Sequence, residues 1–310
     1  MSVALITHPA CLQHDTGEYH PECPDRLRYV LRALETQQFA PLLRESAPQA
    51  TGEQLARVHP ERHIEQILTI RPTPPHLVQI DPDTVMSAGS AEAALRAAGG
   101  AVLAVDSVME GWARAAFAAI RPPGHHAEPA RAMGFCFFNN AAVAAMQARV
   151  RWGLSRVAVL DFDVHHGNGT QAFFQRDGGL FYGSTHQYPC YPGTGLPSER
   201  GVAGNIVNVG LPAGTGSAGF RAAWADTIIP ALRTFAPELV IISAGFDAHK
   251  ADPLAELRLE TADFSWITEE LMAVADETAK GRVASMLEGG YDLDALAACA
   301  SAHVATLMRH

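Results

Sequence analysis

The sequence predicts one α/β domain in which a central, mostly parallel β-sheet is flanked by helices. Short runs of β-branched and apolar residues recur along the chain, which is typical of strands buried on both faces. Segments with helical spacing of apolar residues lie between these runs, and this alternation indicates an open parallel sheet. The chain has no long linker, charge block or internal repeat, so residues 1–310 are predicted to form a single domain.

The predicted elements alternate along the chain. The candidate strands are Val3–Ile6, Ala115–Ile120, Val157–Leu160, Ile206–Val209, Leu239–Ile242 and Val283–Leu287. Apolar residues repeat at helical spacing over 27–34, and Ser90 and Thr261 each precede a further predicted helix. The proline-containing stretch 71–75 is predicted to be a loop. Glycine and proline concentrate after the strands, where loops form the active site of open α/β sheets.

The amino-acid composition argues against several classes of function and favours others. A formal net charge of −10 argues against a nucleic-acid partner and favours basic substrates. The five cysteines are scattered without CxxC spacing, which argues against a disulfide framework or a thiolate zinc site and favours a reducing compartment. The N-terminus lacks a basic n-region, and no apolar run reaches the about 20 residues that span a bilayer. We expect a soluble, unprocessed cytoplasmic protein.

Acidic and histidine side chains follow the predicted strand Val157–Leu160, in the run Asp161-Phe-Asp163-Val-His165-His166. Asp163 and His165 are two positions apart, so in an extended segment they point to the same side and can bind one metal ion. His166 would point away. A solvated loop with incidental polar residues is the alternative interpretation.

A third candidate ligand, Asp247, follows the strand Leu239–Ile242. At the same edge of the sheet it would complete an Asp, His, Asp set with an open position for water. Taken alone, Asp247 could instead cap the next helix. Its combination with Asp163 and His165 favours the metal site.

Two further loops carry reactive side chains. His125 and His126 follow Pro-Pro-Gly after a predicted strand, and either could take a proton from a metal-activated water. Tyr291 follows two glycines after the last strand, where its hydroxyl could donate to a developing oxyanion. An incidental histidine pair and an ordinary turn tyrosine are the alternatives. The convergence of polar loops from several strands predicts an active site.

Together, these segments resemble those of the histone deacetylase and acetylpolyamine amidohydrolase superfamily, and the similarity runs from the first strand to Tyr291. The early run His20-Pro-Glu22-Cys-Pro-Asp-Arg26 is also similar to that family's N-terminal signature. The resemblance implies an arginase/deacetylase-like fold with the active site at the C-terminal ends of the strands. It also implies zinc-dependent removal of acetyl or other acyl groups from lysine side chains.

The resemblance assigns roles to individual residues. It implies zinc ligands Asp163, His165 and Asp247, catalytic residues His125, His126, Tyr291, Asp161 and Asn168, and substrate-binding residues Gly134, Phe135, Tyr191 and Leu254. The two histidines form a tandem general acid/base pair, and Tyr291 polarises the substrate carbonyl. Asp161 is the partner of His125, whereas Asn168 stands where a second aspartate would partner His126. This is similar to the class II pattern, and a neutral partner should stabilise imidazolium less than a carboxylate.

The family resemblance also implies a narrow channel and bound ions. Phe135 and Tyr191 would enclose the aliphatic stem of lysine, whereas Phe137 and Phe138 are predicted to be core residues. The expected catalytic metal is zinc, with iron(II) possible in the cell. A structural potassium ion would use Asp161, Asp163, backbone carbonyls and Ser184.

Three other functions are alternatives to lysine deacylation. A polyamine deacetylase would need a gatekeeper glutamate, and the corresponding position holds Leu254, although an acidic residue elsewhere, such as Glu128, could serve instead. A non-catalytic acyl-lysine binding module would be favoured by loss of a ligand or of Tyr291, and both are present. A binuclear manganese enzyme is disfavoured because Asn168 follows the histidine pair where a further carboxylate would help to hold a second metal.

Overall fold

A computed structural model describes residues 2–310 of the chain. Its strands are β1 (Val3–Thr7), β2 (Leu43–Ser46), β3 (Val78–Asp81), β4 (Thr84–Met86), β5 (Ala115–Ala118), β6 (Val157–Asp161), β7 (Leu180–Gln187), β8 (Ile206–Leu211), β9 (Leu239–Ala244) and β10 (Val283–Leu287). Its α-helices are α1 (Pro24–Ala33), α2 (Gly52–Ala56), α3 (Glu61–Thr69), α4 (Ser90–Glu110), α5 (Asn140–Trp152), α6 (Asn168–Phe174), α7 (Ser217–Ala223), α8 (Ile229–Phe235), α9 (Thr261–Thr278) and α10 (Leu293–Arg309). A π-helical turn, Trp224–Ile228, joins α7 to α8.

Within residues 2–310, eight strands form one sheet in the order β2-β1-β5-β10-β9-β6-β7-β8. Every neighbouring pair in that sheet is parallel, and β3 and β4 form a separate antiparallel hairpin. The prediction of a central, mostly parallel sheet flanked by helices is therefore confirmed. Among these residues, none of the helices is both long and apolar enough to cross a membrane.

Alternate residues of the central strands face two separate apolar layers. On β5, Ala116 and Ala118 pack with the alanine-rich helices α4 and α5, whereas Ala115 and Phe117 pack with α1, α9 and α10. A buried aliphatic or aromatic side chain contributes about 1.5–3 kcal/mol through burial. Because both faces of the sheet are covered at its centre, the central strands are apolar on both sides, which is the pattern that the sequence displays.

The structure differs from the predicted elements at several points. β7 was not predicted, because its sequence Leu180–Gln187 includes Ser184 and His186, yet every residue of it is buried. These two polar side chains bond each other, with 3.0 Å between Ser184 Oγ and His186 Nδ1. The exposed edge strand β2 and the β3–β4 hairpin were also not predicted. The predicted helix starts are close: α4 begins at Ser90 and α9 at Thr261.

The order of the strands brings the polar loops together. β5, β10, β9 and β6 are consecutive neighbours in the sheet, and each is followed by one of the polar segments described above. Since parallel strands end at the same edge, these four loops leave the sheet side by side.

Candidate active site

Three side chains from the loops after β6 and β9 meet at one point. Asp163, His165 and Asp247 each offer a ligand atom, and these atoms all lie within 4.8 Å of one another. His165 Nδ1 is 3.2 Å from Asp163 Oδ1 and 3.1 Å from Asp247 Oδ2. The structure thus brings together the residues that the sequence nominated as metal ligands.

Local hydrogen bonds hold Asp163 and His165 in place. The segment after β6 bends, so the expectation of an extended segment is wrong. The two side chains meet because Asp163 Oδ1 accepts the backbone N–H of His165 at 2.9 Å, while Asp163 Oδ2 accepts that of Gly289 at 2.8 Å. Backbone donors of this kind fix a carboxylate and favour its charged form.

Asp247 is held across the site. Its Oδ1 accepts the backbone N–H of Val164 at 2.8 Å, which ties the loop after β9 to the loop after β6. The alternative that Asp247 caps the next helix is wrong, since α9 begins at Thr261 with Glu260 as its N-cap residue.

The charges and the shape of this cluster suit a cation. The carboxylates of Asp163 and Asp247 repel each other at this distance. This repulsion, together with burial, raises the pKa of Asp247 to about 7. Gly245 and Gly289 border the cluster, and a β-carbon at either position would collide with the Asp163 carboxylate. The absence of side chains there leaves room around the ligand atoms.

His125 contacts two carboxylates. Its Nδ1 is 3.0 Å from Asp161 Oδ2, and its Nε2 is 3.8 Å from Asp163 Oδ2. The Tyr182 hydroxyl donates to Asp161 Oδ2 at 3.0 Å and fixes that carboxylate. Burial opposes the charged imidazole, but Asp163 and Asp161 outweigh it and raise the pKa of His125 to about 10. His125 is therefore the cationic histidine of the pair.

The main chain of His125 is held by a buried glutamate. Glu288 Oε2 accepts the backbone N–H groups of Gly124 at 2.7 Å and of His125 at 3.1 Å, and Ser243 donates to Glu288 Oε1 at 3.0 Å. Burial raises the pKa of Glu288 to about 7. This carboxyl group joins the loops after β5 and β10 to the end of β9.

His126 has a different environment, although its ring centroid lies only 4.0 Å from that of His125. Its Nδ1 is 2.8 Å from Oδ1 of Asn168. Burial and repulsion from His125 and His165 lower the pKa of His126 well below its usual value. His126 is therefore the neutral histidine of the pair.

Tyr291 follows Gly290, whose φ of 122° is one that residues with side chains rarely adopt. The Arg26 guanidinium lies over the Tyr291 ring, 4.8 Å from its centroid, and donates to the Gly290 carbonyl. Asp252 Oδ2 accepts the backbone N–H of Tyr291 at 2.7 Å. Burial raises the pKa of the Tyr291 hydroxyl, so it stays protonated and able to donate.

A cavity of about 230 Å³ gives access to these groups. It is lined by Asp83, His126, Gly134, Phe135, His165, Tyr191, Leu254 and Tyr291. Tyr191 and Leu254 are each 38% exposed, which places them at its mouth. Burial and the nearby Asp83 carboxylate raise the pKa of the Tyr191 hydroxyl. All four residues expected to bind substrate thus border one cavity.

The remaining nominated residues lie around this site. His166 is turned away, as expected, and contacts Thr194 Oγ1 at 2.7 Å and Gln171 Oε1 at 2.9 Å. Ser184 is the register partner of Asp161 in the β6–β7 pair, so two side chains of the expected potassium site are neighbours. Phe137 and Phe138 are buried in the core.

Several residues that shape the site were not given these roles from the sequence. Asp83 lines the cavity from the β3–β4 turn, and Asp252 contacts the backbone of Tyr291. The sequence indicated no contact for Glu128, yet its Oε1 accepts from Asn168 Nδ2 at 2.9 Å. Arg26 lies in the His20–Arg26 motif, which was noted without a role for this residue. The motif is the one sequence signal for any of these residues, because the contacts of Asp252 and Glu128 join residues far apart in sequence.

Comparisons with known proteins agree with this architecture. A family model described as the histone deacetylase domain matches residues 20–307. The chain is 39% identical over 278 residues to the histone deacetylase-like amidohydrolase of Pseudomonas aeruginosa, covering 88% of this chain and 72% of that protein. It is 40% identical over 299 residues to a probable deacetylase of Methanothermobacter thermautotrophicus, covering 94% of this chain and 87% of that protein.

The fold has a matching solved structure. The crystal structure of the HDA15 HD domain superimposes with a TM-score of 0.93 at 36% identity, covering all of this chain and 88% of that one. Sequence similarity and fold agree over almost the whole length of the chain. The chain therefore belongs to the histone deacetylase family of hydrolases.

Proposed function

We propose that this protein is a zinc-dependent amidohydrolase that removes acetyl or other acyl groups from lysine side chains. The observation that carries the proposal is the buried cluster of Asp163, His165 and Asp247, whose histidine lines a cavity together with His126 and Tyr291. The names of the relatives, deacetylase and amidohydrolase, support the same reaction class.

The ligand set fits zinc. Catalytic zinc sites use imidazole nitrogen and carboxylate oxygen from three residues and keep one position open. Iron(II) accepts similar ligands and is the alternative metal in the cell. When bound, the metal supplies Lewis-acid polarisation of the acyl carbonyl and makes water a better nucleophile. Because two carboxylates, Asp163 and Asp247, offset much of its charge, protein side chains must contribute strongly to catalysis.

His126 is the general base of the proposed mechanism. It lines the cavity and is neutral, so it takes a proton from the attacking water while the oxygen bonds to the acyl carbon. Tyr291 donates a hydrogen bond to the carbonyl oxygen as negative charge develops there. The cationic His125, next to His126, adds a positive charge that favours the developing negative charge. As the C–N bond breaks, the proton on His126 passes to the leaving amine. The products are a carboxylic acid and an amine, which ionise to a carboxylate and an ammonium group.

The cavity favours an acyl group on a long, flexible amine. Phe135 and Tyr191 offer aromatic surface to an aliphatic stem. The net charge of −10 suits a basic substrate. An acetylpolyamine is the second candidate, because the Asp83 carboxylate lines the same cavity and could pair with a second ammonium group. Leu254 at the mouth argues for lysine, since an apolar side chain does not attract a distant charge.

A structural potassium ion and a cytoplasmic location complete the proposal. The register pairing of Asp161 with Ser184 supports the potassium site, which otherwise rests on the family resemblance. The location rests on the free cysteines and remains a prediction from the sequence.

The substrate proposal is tested by measuring amine release from an acetyl-lysine peptide and from acetylspermidine side by side. We expect the zinc-loaded protein to prefer the peptide. Leu254→Glu should shift kcat/KM toward acetylspermidine, whereas Val202→Glu, which adds the same charge at a position 67% exposed, should not.

Either of two results would count against this proposal. Preference of the unmodified protein for acetylspermidine would replace lysine by polyamine as the substrate, and Asp83→Asn would then be expected to remove that preference. Failure of the zinc-loaded protein to hydrolyse either compound, with retained binding of the peptide, would favour a non-catalytic acyl-lysine binding module.

A further inference from the structure

The side-chain amide of Asn168 bridges two groups with opposite requirements. Its Nδ2 lies 2.9 Å from Glu128 Oε1, and its Oδ1 lies 2.8 Å from His126 Nδ1. An ionised carboxylate can only accept hydrogen bonds, so the NH₂ end of the amide must face Glu128. The oxygen end therefore has to face His126.

This orientation decides which nitrogen of His126 carries the proton. An amide oxygen can only accept, so Nδ1 of His126 must be the protonated nitrogen. The other nitrogen, Nε2, then presents a lone pair and can act as a base. With the amide reversed, its NH₂ group would donate to Nδ1, and the proton would move to Nε2. A neutral histidine of that form has no free lone pair at Nε2.

Glu128 is well placed to impose the orientation. It is partly buried, and its backbone is fixed by paired hydrogen bonds with Arg131, at 2.9 Å and 3.3 Å. The second acceptor near Asn168 Nδ2 is Met133 Sδ at 3.4 Å, and a thioether accepts only weakly. The carboxylate of Glu128 is thus the strong determinant of the amide orientation.

We propose that Glu128 is a positioning residue that orients the Asn168 amide and thereby fixes the tautomer of His126. The inference rests on the proposed function in assigning His126 as the base. An aspartate in place of Asn168 would accept from His126 through either oxygen, so such a site would not need Glu128. The glutamate compensates for the neutral amide that this chain carries at position 168.

The first test is Glu128→Gln in the zinc-loaded protein. A glutamine side chain can face Asn168 with either its oxygen or its nitrogen, so the amide orientation is no longer imposed. We expect kcat for the acetyl-lysine peptide to fall on the order of tenfold, within the range for one hydrogen bond to a charged group, while KM changes little. Glu269→Gln on α9 removes the same charge from an exposed position and should leave kcat unchanged.

The second test repeats Glu128→Gln in an Asn168→Asp background. There the substitution should be neutral or should raise kcat, because glutamine relieves repulsion between two adjacent carboxylates. Wild-type kcat in the single Glu128→Gln variant would overturn the inference. An equal loss in both backgrounds would also overturn it, since that result indicates a general structural effect.

A third measurement is independent of turnover. In protein labelled with ¹⁵N-histidine, the His126 resonances should report protonation at Nδ1, and Glu128→Gln should raise the fraction protonated at Nε2. An unchanged tautomer in the folded variant would contradict the inference. If the unmodified protein released no amine, the proposed function would fail, and this spectrum would still decide the role of Glu128.

Discussion

The two adjacent histidines of the site have opposite electrostatic environments. His125 contacts the carboxylates of Asp161 and Asp163, and its pKa is raised to about 10. His126 contacts the neutral amide of Asn168, and burial together with repulsion from its histidine neighbours lowers its pKa well below the usual value. The same residue type in one loop is thus cationic in one position and neutral in the next.

This difference indicates a division of roles. A general base must be unprotonated at the working pH, which suits His126, whereas a cationic side chain can stabilise negative charge, which suits His125. A metal ion bound to Asp163 would take up part of the charge that His125 feels. Asp161, which is not among the proposed metal ligands, would still favour the cationic form of His125.

Replacement of each histidine in turn tests the contrast between His125 and His126 most directly. His126→Gln should lower kcat on the order of a thousandfold, because it removes the proposed general base. His125→Gln should cost less, because it removes only charge stabilisation. Both variants should retain stoichiometric zinc by elemental analysis. A greater loss of kcat for His125→Gln than for His126→Gln would reverse the assigned roles.

Removal of one hydroxyl separates the contribution of Tyr291 from that of His125. Tyr291→Phe should lose at least about a hundredfold in turnover, as expected when an oxyanion donor is removed. Zinc content and the thermal unfolding midpoint should be unchanged. Near-normal turnover would show that the Tyr291 hydroxyl does not stabilise the oxyanion and would remove Tyr291 from the proposed mechanism.

Weakening the contact between Asp252 and the Tyr291 backbone should have a smaller effect on kcat. Asp252→Asn removes a carboxylate that accepts the backbone N–H of Tyr291, and we expect kcat to fall on the order of tenfold. The loss should disappear when the substitution is made in the Tyr291→Phe protein. Persistence of the full loss in the double variant would show that Asp252 does not act through the Tyr291 hydroxyl.

A buried histidine elsewhere in the fold provides a reference for the neutral state. His303 lies between Thr268 Oγ1 at 2.6 Å and Ser285 Oγ at 2.9 Å, and burial lowers its pKa to about 3. Below its unfolded pKa near 6.5, the unfolded chain binds a proton that the folded protein does not, so stability falls as the pH drops from about 6.5 toward 3. His125 has the opposite sign: its contribution is present below pH 6.5 and is lost as the pH rises through about 10.

The effect of His303 can be measured by urea unfolding. Lowering the pH from 7.5 to 5.5 should cost about 1.4 kcal/mol of unfolding free energy through this one group. His303→Asn, if less stable overall, should show a correspondingly smaller change between the two pH values. An equal change in both proteins would mean that His303 is not buried in its neutral form.

Most of the fold and the central residues of the candidate site could be predicted from local sequence. The apolar strands were predictable because burial on both faces demands uninterrupted apolar runs, as in β9 and β10. β7 was missed because its buried polar side chains satisfy one another, a pairing that is invisible in the linear sequence. Asp163, His165 and His126 could be nominated as site residues because they lie in short polar segments after strands. Asp252 and Glu128 were not predicted, because Asp252 contacts a backbone N–H and Glu128 contacts an amide far away in sequence.

The most direct test of the account is metal-dependent turnover by one protein sample. Amine release from an acetyl-lysine peptide would be measured on the zinc-loaded protein, after removal of zinc with a chelator, and after zinc is returned. Asp247→Ala would be carried through the same steps as the variant expected to lose stoichiometric zinc. We predict turnover that disappears with the metal and returns with it in the unmodified protein alone. Turnover that survives complete metal removal, or full zinc occupancy in Asp247→Ala, would contradict the central claim.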